Sequence, residues 1–240
     1  VTAILAEEPR LEYIGEELTL FQLAENWKRY VASRLRPYIH GRVLEVGAGL
    51  GANVPYFFRS DLSGYVSLEP DGRLCDEYRR QQLDGKIPAA CELVQGTLDS
   101  LAAEETFDTI IYIDVLEHIE DDRAEFARAF SRLRSGGRLC ILCPAHNRLY
   151  SPFDQAIGHF RRYDKRMFRA LSDERPLVLE YLDSAGLLAS GANKLLLRQT
   201  YPNEQQILLW DRVLVRLSRC VDPLVARRIG KSILGVWAKA

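Results

Sequence analysis

Apolar positions along this chain fall into two rhythms. Short, nearly continuous apolar runs at 43–46, 65–68, 92–94, 107–113 and 138–143 read as strands, and the run Phe107 to Ile113 is apolar almost throughout, as in a strand buried on both faces. Between them the spacing turns helical. Leu20, Ala24, Trp27, Val31 and Leu35 step by four, three, four and four, and Pro37 ends that helix. A crossover helix is expected over Asn53 to Arg59 and a second over Gly72 to Leu83. A third starts at Asp121-Asp122, turns Phe126, Ala127, Phe130 and Leu133 to the core, and is stopped by Gly136-Gly137. Strand and helix alternating in this way predict an α/β fold, a doubly wound parallel sheet with helices on both faces.

The first strand, Arg42 to Val46, runs into Gly47-Ala48-Gly49-Leu50-Gly51. Glycines there let the backbone approach a ligand and leave N–H groups free at the carboxyl end of the sheet, where ligands of open α/β folds settle. Gly47, Gly49 and Ala52 satisfy the dinucleotide fingerprint, so a nicotinamide or flavin cofactor competes for this loop. Glu45 points elsewhere. A carboxylate at a buried strand end is costly without a cation or several donors beside it, and S-adenosylmethionine brings an ammonium and a sulfonium. The alternative is that Glu45 pairs with an arginine or caps a helix. The second strand ends in Glu69-Pro70-Asp71, with Glu69 twenty residues beyond Gly49, the distance at which a βαβ unit returns a carboxylate to the ribose hydroxyls. Helix capping is the other use of this acidic pair. After the third strand, Gln95-Gly96-Thr97-Leu98-Asp99 occupies the place of an adenine-wrapping loop.

Length and charge narrow the picture further. The 240 residues suit one α/β domain, 1–240, with a cofactor-binding core at about 38–145 and acceptor-side and cap elements at about 1–37 and 145–230. A net charge of −1 argues against a dedicated nucleic-acid binder. Val1 to Arg10 lacks the basic region and apolar core of a signal peptide, and no run is long enough to span a bilayer, so a cytoplasmic protein is expected. The five cysteines read as reduced thiols; Cys140 and Cys143 lie three apart in a strand, where side chains point to opposite faces. The helix before the first strand covers the core or, through Glu16, Glu17, Asn26, Trp27 and Tyr30, forms a lid over the cofactor. After Pro202, Ile207, Trp210, Leu214, Leu217 and Val221 form a helical stripe with Arg212, Arg216 and Arg219 on other faces. A cover for the active-site mouth is expected in preference to a membrane-surface or dimer helix. A monomer or a homodimer is expected.

Taken together, Val43-Leu44-Glu45-Val46-Gly47-Ala48-Gly49-Leu50-Gly51, Glu69, Phe107-Asp108, Val115-Leu116-Glu117-His118-Ile119 with Asp121-Asp122, and Leu133-x-x-Gly136-Gly137 resemble the class I S-adenosylmethionine-dependent methyltransferases. Pro144-Ala145, Leu149-Tyr150, Asp154 and Gly158-His159-Phe160-Arg161-Arg162-Tyr163 look like a bacterial subgroup with small-molecule, glycan or lipid-linked acceptors. The resemblance implies a Rossmann-like, seven-stranded sheet, mostly parallel with the last strand antiparallel, strand six at 177–181 and strand seven at 232–237. It implies S-adenosylmethionine as cofactor and S-adenosylhomocysteine as product. Glu45, Gly47, Ala48, Gly49 and Gly51 would border the methionine portion, Glu69 and Pro70 the ribose, Thr97 and Leu98 the adenine, and Asp114 with Val115 the methionine end. Gly96-Thr97-Leu98 departs from the family's Gly-Asp-Ala, with Thr97 at the acidic position and Asp99, two residues further on, as the candidate to replace its carboxylate.

Methyl transfer is an in-line displacement, so the chain must hold an acceptor against the methyl carbon and, for a hydroxyl, remove its proton. Position past the fourth and fifth strands selects His118, His146, His159, Asp154 and Tyr163. His118 reads as structural or cofactor-side. His159 or His146 is expected as base or acceptor-orienting group, with Tyr163 as a further catalytic candidate. Asp154, Arg161 and Arg162 are expected at the acceptor, the arginines clamping a carboxylate or phosphate or else pairing with Asp154 and Asp164. Glu117, His118 and Asp121 match no standard ligand spacing, and no metal is expected. The rival readings are a nicotinamide-dependent oxidoreductase, which lacks a recognisable hydride-transfer group here, and a non-catalytic cofactor-bound scaffold.

Overall fold

A computed structural model describes residues 17–192 and 203–240. Two short helices lead in, α1 (Glu17–Phe21) and α2 (Glu25–Leu35). The single helix expected up to Pro37 is therefore broken by a turn at Gln22 to Ala24, while Ala24, Trp27, Val31 and Leu35 keep the buried face that their spacing implies. Then follow β1 (Arg42–Val46), α3 (Val54–Phe57), β2 (Gly64–Glu69), α4 (Gly72–Leu83), β3 (Cys91–Gln95), β4 (Phe107–Ile113), α5 (Asp122–Ser131) and β5 (Leu133–Pro144). The remainder comprises α6 (Pro152–Ala156), α7 (Lys165–Arg169), β6 (Val178–Leu182), α8 (Ser184–Ala192), α9 (Glu204–Leu209), a π-helical turn at Trp210–Leu214, α10 (Val215–Leu224) and β7 (Ser232–Ala238).

The seven strands form one sheet in the order β3-β2-β1-β4-β5-β7-β6. β1 to β5 run parallel, and β7 is antiparallel to both of its neighbours. Period-two alternation divides the core. Val43, Ile111, Cys140 and Val236 face the layer of α2, α3 and the C-terminal helices, and Leu44, Ile110, Tyr112, Ile141 and Trp237 face the layer of α5 and α7. Cys140 and Cys143 fall on opposite faces as buried free thiols. Gly136-Gly137 do not stop α5, which ends at Ser131 with Arg132 as its cap. They sit inside an irregular start of β5, where the register against β4 shifts, and Gly136 takes a φ of 78°.

The C-terminal helical stretch buries Ile207, Asp211, Val215, Ser218 and Asp222, one position on from the apolar stripe after Ile207. The π turn supplies the reason: it adds a residue to one turn and rotates everything beyond it. Polar groups are consequently drawn inside, and each is satisfied. Asp211 accepts from the backbone N–H of Asn26 (3.1 Å) and Trp27 (2.8 Å), capping α2, whose own first residues offer no side-chain cap. Asp222 accepts from the Tyr30 hydroxyl (2.7 Å) and from the N–H of Asp183 (2.8 Å) and Ser184 (3.0 Å). Among the described residues no helix is long and apolar enough to cross a membrane. Glu16 and Pro202 lie outside the described residues.

Candidate active site

All five parallel strands end at one cavity of about 760 Å³, within the size range of small-molecule sites. It is lined by Val46 and Gly47 after β1, Glu69 to Asp71 after β2, Gly96 to Asp99 after β3, Ile113 to Val115 after β4 and Pro144 at the end of β5. This is the switch point between β1 and β4, where the strand order reverses. Leu18, Phe21, Trp27 and Lys28 form one wall, and Phe153, Ile157 to Phe160, Trp210 and Lys231 another.

At the cofactor half, Gly47 and Gly49 have φ of 67° and 56°, and a Cβ on Gly47 would stand 2.5 Å from Val115. Only glycine keeps this stretch of backbone open to a ligand. Glu69 accepts from Gly49 N–H (2.8 Å) and Asp71 N–H (2.9 Å), which aims its carboxylate and leaves lone pairs for a diol. Asp71 caps α4 through Arg73 N–H and Leu74 N–H, directly beside the Glu69 carboxylate. Leu98 contributes a buried apolar surface at the β3 end, and Thr97 and Asp99 flank it. Asp114 ends β4 at a φ of 53°, a conformation uncommon outside glycine that turns it into the cavity. Water in the open cavity reaches Asp114, yet its depth in the protein pushes its carboxyl up to about 6, against the opposing charges of His159, Lys231 and Arg162. An open glycine turn, a diol-aimed carboxylate, an apolar slot and an acidic end fit S-adenosylmethionine.

Two residues assigned to the cofactor lie outside the lining. Glu45 is fully inside the sheet layer, accepting from the Tyr65 hydroxyl (2.7 Å) and Asn53 Nδ2 (3.2 Å), and burial pushes its carboxyl up to about 7. Neutralisation and two donors, not an ammonium or an arginine, answer the cost that singled it out. Gly51 packs its backbone on Tyr78 and Ile87, where a Cβ would clash at 2.3 Å.

At the acceptor half the segment after β5 folds back over the β4 end. Asp154, fully buried, accepts from Arg162 Nε (2.7 Å) and Nη2 (2.8 Å), from Ser151, and bonds His159 Nδ1 (2.9 Å). Burial works to raise its carboxyl, but the His159 and Arg162 hydrogen bonds hold it well below the usual range. His159 thereby presents Nε2 toward Glu117, 3.8 Å from its Oε1. His118 meets the His159 ring edge to face at 4.5 Å, and burial together with His159 lowers it to about 4. Arg162 is thus an internal partner of Asp154 rather than a clamp for an acceptor anion. Arg161 holds the Ile119 and Glu120 carbonyls and Asp122, outside the lining. Tyr163 is buried, its hydroxyl donating to Asp122 (2.8 Å), which makes it structural. His146 stacks on Tyr181 and bonds the Gly230 carbonyl (2.9 Å), also away from the cavity.

Sequence reasoning missed Lys28 and Lys231 as lining residues, and named Trp210 only as part of the helix expected to cover the active-site mouth. Lys28 bonds the Phe21 and Gln22 carbonyls, and burial lowers it to about 8. Lys231, also lowered by burial, lies over the Trp210 ring at 4.7 Å. A lysine entering a strand and a tryptophan within a helix carry no local signal; only the packing of the chain's two ends brings them to the cavity.

Residues 44–139 match the family model described as a methyltransferase domain. No curated protein matches the chain. Among solved structures, a possible histamine N-methyltransferase from Thermotoga maritima superposes with a TM-score of 0.60 at 16% identity, covering 94% of this chain and 95% of that one. The YcgJ protein of Bacillus subtilis gives 0.58 at 15%, covering 90% and 99%. A phosphoethanolamine N-methyltransferase of Haemonchus contortus bound to S-adenosylmethionine gives 0.61 at 14%, covering 90% of this chain and 52% of that one. At these identities the structures show the shared fold. The domain match lies across the cofactor half, on a cradle whose residues fit S-adenosylmethionine, and favours that cofactor over a nicotinamide: residues 44–139 of the chain are similar to a methyltransferase domain.

Proposed function

We propose that this chain is a class I S-adenosylmethionine-dependent methyltransferase that acts on a small-molecule acceptor, free or as the reactive end of a glycan or lipid-linked compound, and that His159 meets the acceptor's reacting group. The observation that carries the reading is the Asp154–His159 pair, in which Asp154 fixes one ring nitrogen (2.9 Å) and the ring lines the acceptor half of the cavity. S-adenosylmethionine supplies an electrophilic methyl carbon on a sulfonium. Gly47 and Gly49 border its methionine portion, Glu69 takes the ribose hydroxyls, Leu98 and Thr97 flank the adenine, and Asp114 with Val115 closes the methionine end. Phe21, Trp27, Phe153 and Trp210 exclude water from the acceptor, which keeps its reacting lone pair aligned and dry.

Titration calorimetry with S-adenosylmethionine and S-adenosylhomocysteine, using NAD as control, tests the cofactor roles. Binding should weaken at least tenfold in Glu69→Ala. Screening hydroxyl- and amine-bearing small molecules for S-adenosylhomocysteine release identifies the acceptor. With that acceptor, His159→Asn should lower kcat by roughly 10²-fold or more with cofactor affinity kept, the scale of a lost acid–base or positioning group. Normal turnover in His159→Asn overturns its role, and undiminished cofactor affinity in Glu69→Ala overturns the ribose assignment.

A further inference from the structure

Glu117 is fully buried and, among the described residues, has no N–H or O–H donor on either carboxylate oxygen, with only the weak donor of the Cys143 thiol near it. It lies just after β4 and lines the cavity. A buried carboxylate left in this state is costly, and such groups are paired or coordinate a cation. The two imidazoles next to it complete a donor set: one ligand atom each from Glu117, His118 and His159 lies within 4.8 Å of the others.

We propose that Glu117, His118 and His159 bind a divalent transition-metal ion at the floor of the acceptor half. Two histidines and one carboxylate form a set suited to zinc, manganese or iron, with coordination positions left open toward the cavity. An ion about 2.1 Å from each donor needs ligand atoms roughly 3 to 3.5 Å apart, so the 3.8 Å between Glu117 Oε1 and His159 Nε2 closes with small side-chain rotations. The surroundings follow the pattern of a metal-bound histidine. His159 has its other ring nitrogen fixed by the carboxylate of Asp154, which is itself held by Arg162 and Ser151. Asp114, Glu117 and Asp154 place three carboxyls at this end of the cavity beside Arg162 and Lys231, and an incoming ion displaces the Glu117 proton, which makes its binding pH-dependent.

Asp121, the third residue that sequence proximity suggests, is not part of the set, since it caps α5 through Ala124 N–H (3.0 Å). The fold replaces it with His159, brought from beyond β5. The second half of the inference rests on the methyltransferase reading. Beside the methyl donor the ion acts as a Lewis acid on a hydroxyl acceptor, and His159, with Nδ1 on Asp154 and Nε2 on the ion, then meets the acceptor's oxygen through the ion and not as a base. The O–H proton passes to water, the oxygen forms the new C–O bond, and the C–S electron pair returns to sulfur.

The test is calorimetry of metal-free, untagged full-length protein with ZnCl2 and MnCl2, in a Cys220→Ser background that removes the exposed thiol. One equivalent of ion should bind, and Glu117→Gln and His118→Asn should each weaken it at least tenfold while circular dichroism shows a folded protein. Where one variant fails to fold, the other decides. Asp154→Asn, acting only through His159, should weaken binding by about 10–100-fold. Absence of saturable binding, or equal affinity in the folded Glu117 or His118 variant, overturns the site. S-adenosylmethionine titrated into the same metal-free protein tests the methyltransferase reading separately, so that cofactor binding without metal uptake sinks the ion alone.

Discussion

Glu45 and His146 show how the same residue type changes meaning with its surroundings. On the sequence Glu45 reads as a carboxylate facing the cofactor's positive charge or else pairing with an arginine; in the fold it is a proton-holding group bonded to Tyr65 and Asn53. Its folded pKa is raised from 4.5 to about 7, so the folded state keeps a proton that the unfolded chain releases. Stability therefore falls as pH rises from about 4.5 to 7 and stays reduced above that. Glutamine reproduces the neutral form. Glu45→Gln should melt higher than the parent at pH 8, by about 2–6 °C, and with little difference at pH 5, as measured by differential scanning fluorimetry. An equal offset at both pH values would refute the assignment. For His146 the outcome is opposite: a plausible base by position, it is occupied in packing on Tyr181. The sequence places both His146 and His159 in the same polar segment, and nothing in their spacing says which one turns inward.

At the scale of elements, the helical stretch from Glu204 to Leu224 is the least legible part of the described chain. Its apolar periodicity is real, yet Leu209, Val213 and Leu217 remain 60%, 51% and 50% exposed while Asp211, Ser218 and Asp222 are buried. A single π turn rotates the helix, and the reward is polar: the buried groups satisfy backbone N–H groups at the starts of α2 and α8. Asp211→Ala leaves two of these donors unpaired and should cost about 1–3 kcal/mol in urea unfolding, whereas Arg212→Ala on the exposed side should cost under about 0.5 kcal/mol. Equal effects would mean that Asp211 does not act as the cap of α2. The parallel strands, by contrast, are legible from their apolar runs to within a residue at each end, apart from the irregular start of β5, whereas β6 and β7 rested on the family resemblance.

For the whole molecule, the concentration of buried carboxyls at one end of the sheet sets a pH response. Burial raises Glu45 to about 7, Glu117 well above the usual range and Glu69 in the same direction. Each contribution to stability is present when the group is protonated and falls away as pH rises through the shifted value. His118, lowered to about 4, works the other way, costing stability as pH falls below about 6.5. Asp154, held low, withdraws its stabilisation only at strongly acid pH. The ligand-free protein should therefore melt higher near pH 5.5 than at pH 8. A melting temperature that rises steadily from pH 5.5 to 8 would show that these carboxyls are ionised at no cost in the fold.

The sequence by itself determined the architecture and the shape of the cradle: apolar runs specify strands, glycine and acidic residues at their ends specify a turn with a carboxylate beside it, and both signals are local in the chain. The acceptor side was decided only by tertiary structure. Lys28, Trp210, Lys231, Glu117 and His159 come from segments up to about two hundred residues apart, and which of their side chains face the cavity depends on a helix rotation, a broken helix and a returning loop. Those follow from how all the elements pack at once, because burying a polar group is tolerated only where distant backbone donors happen to meet it.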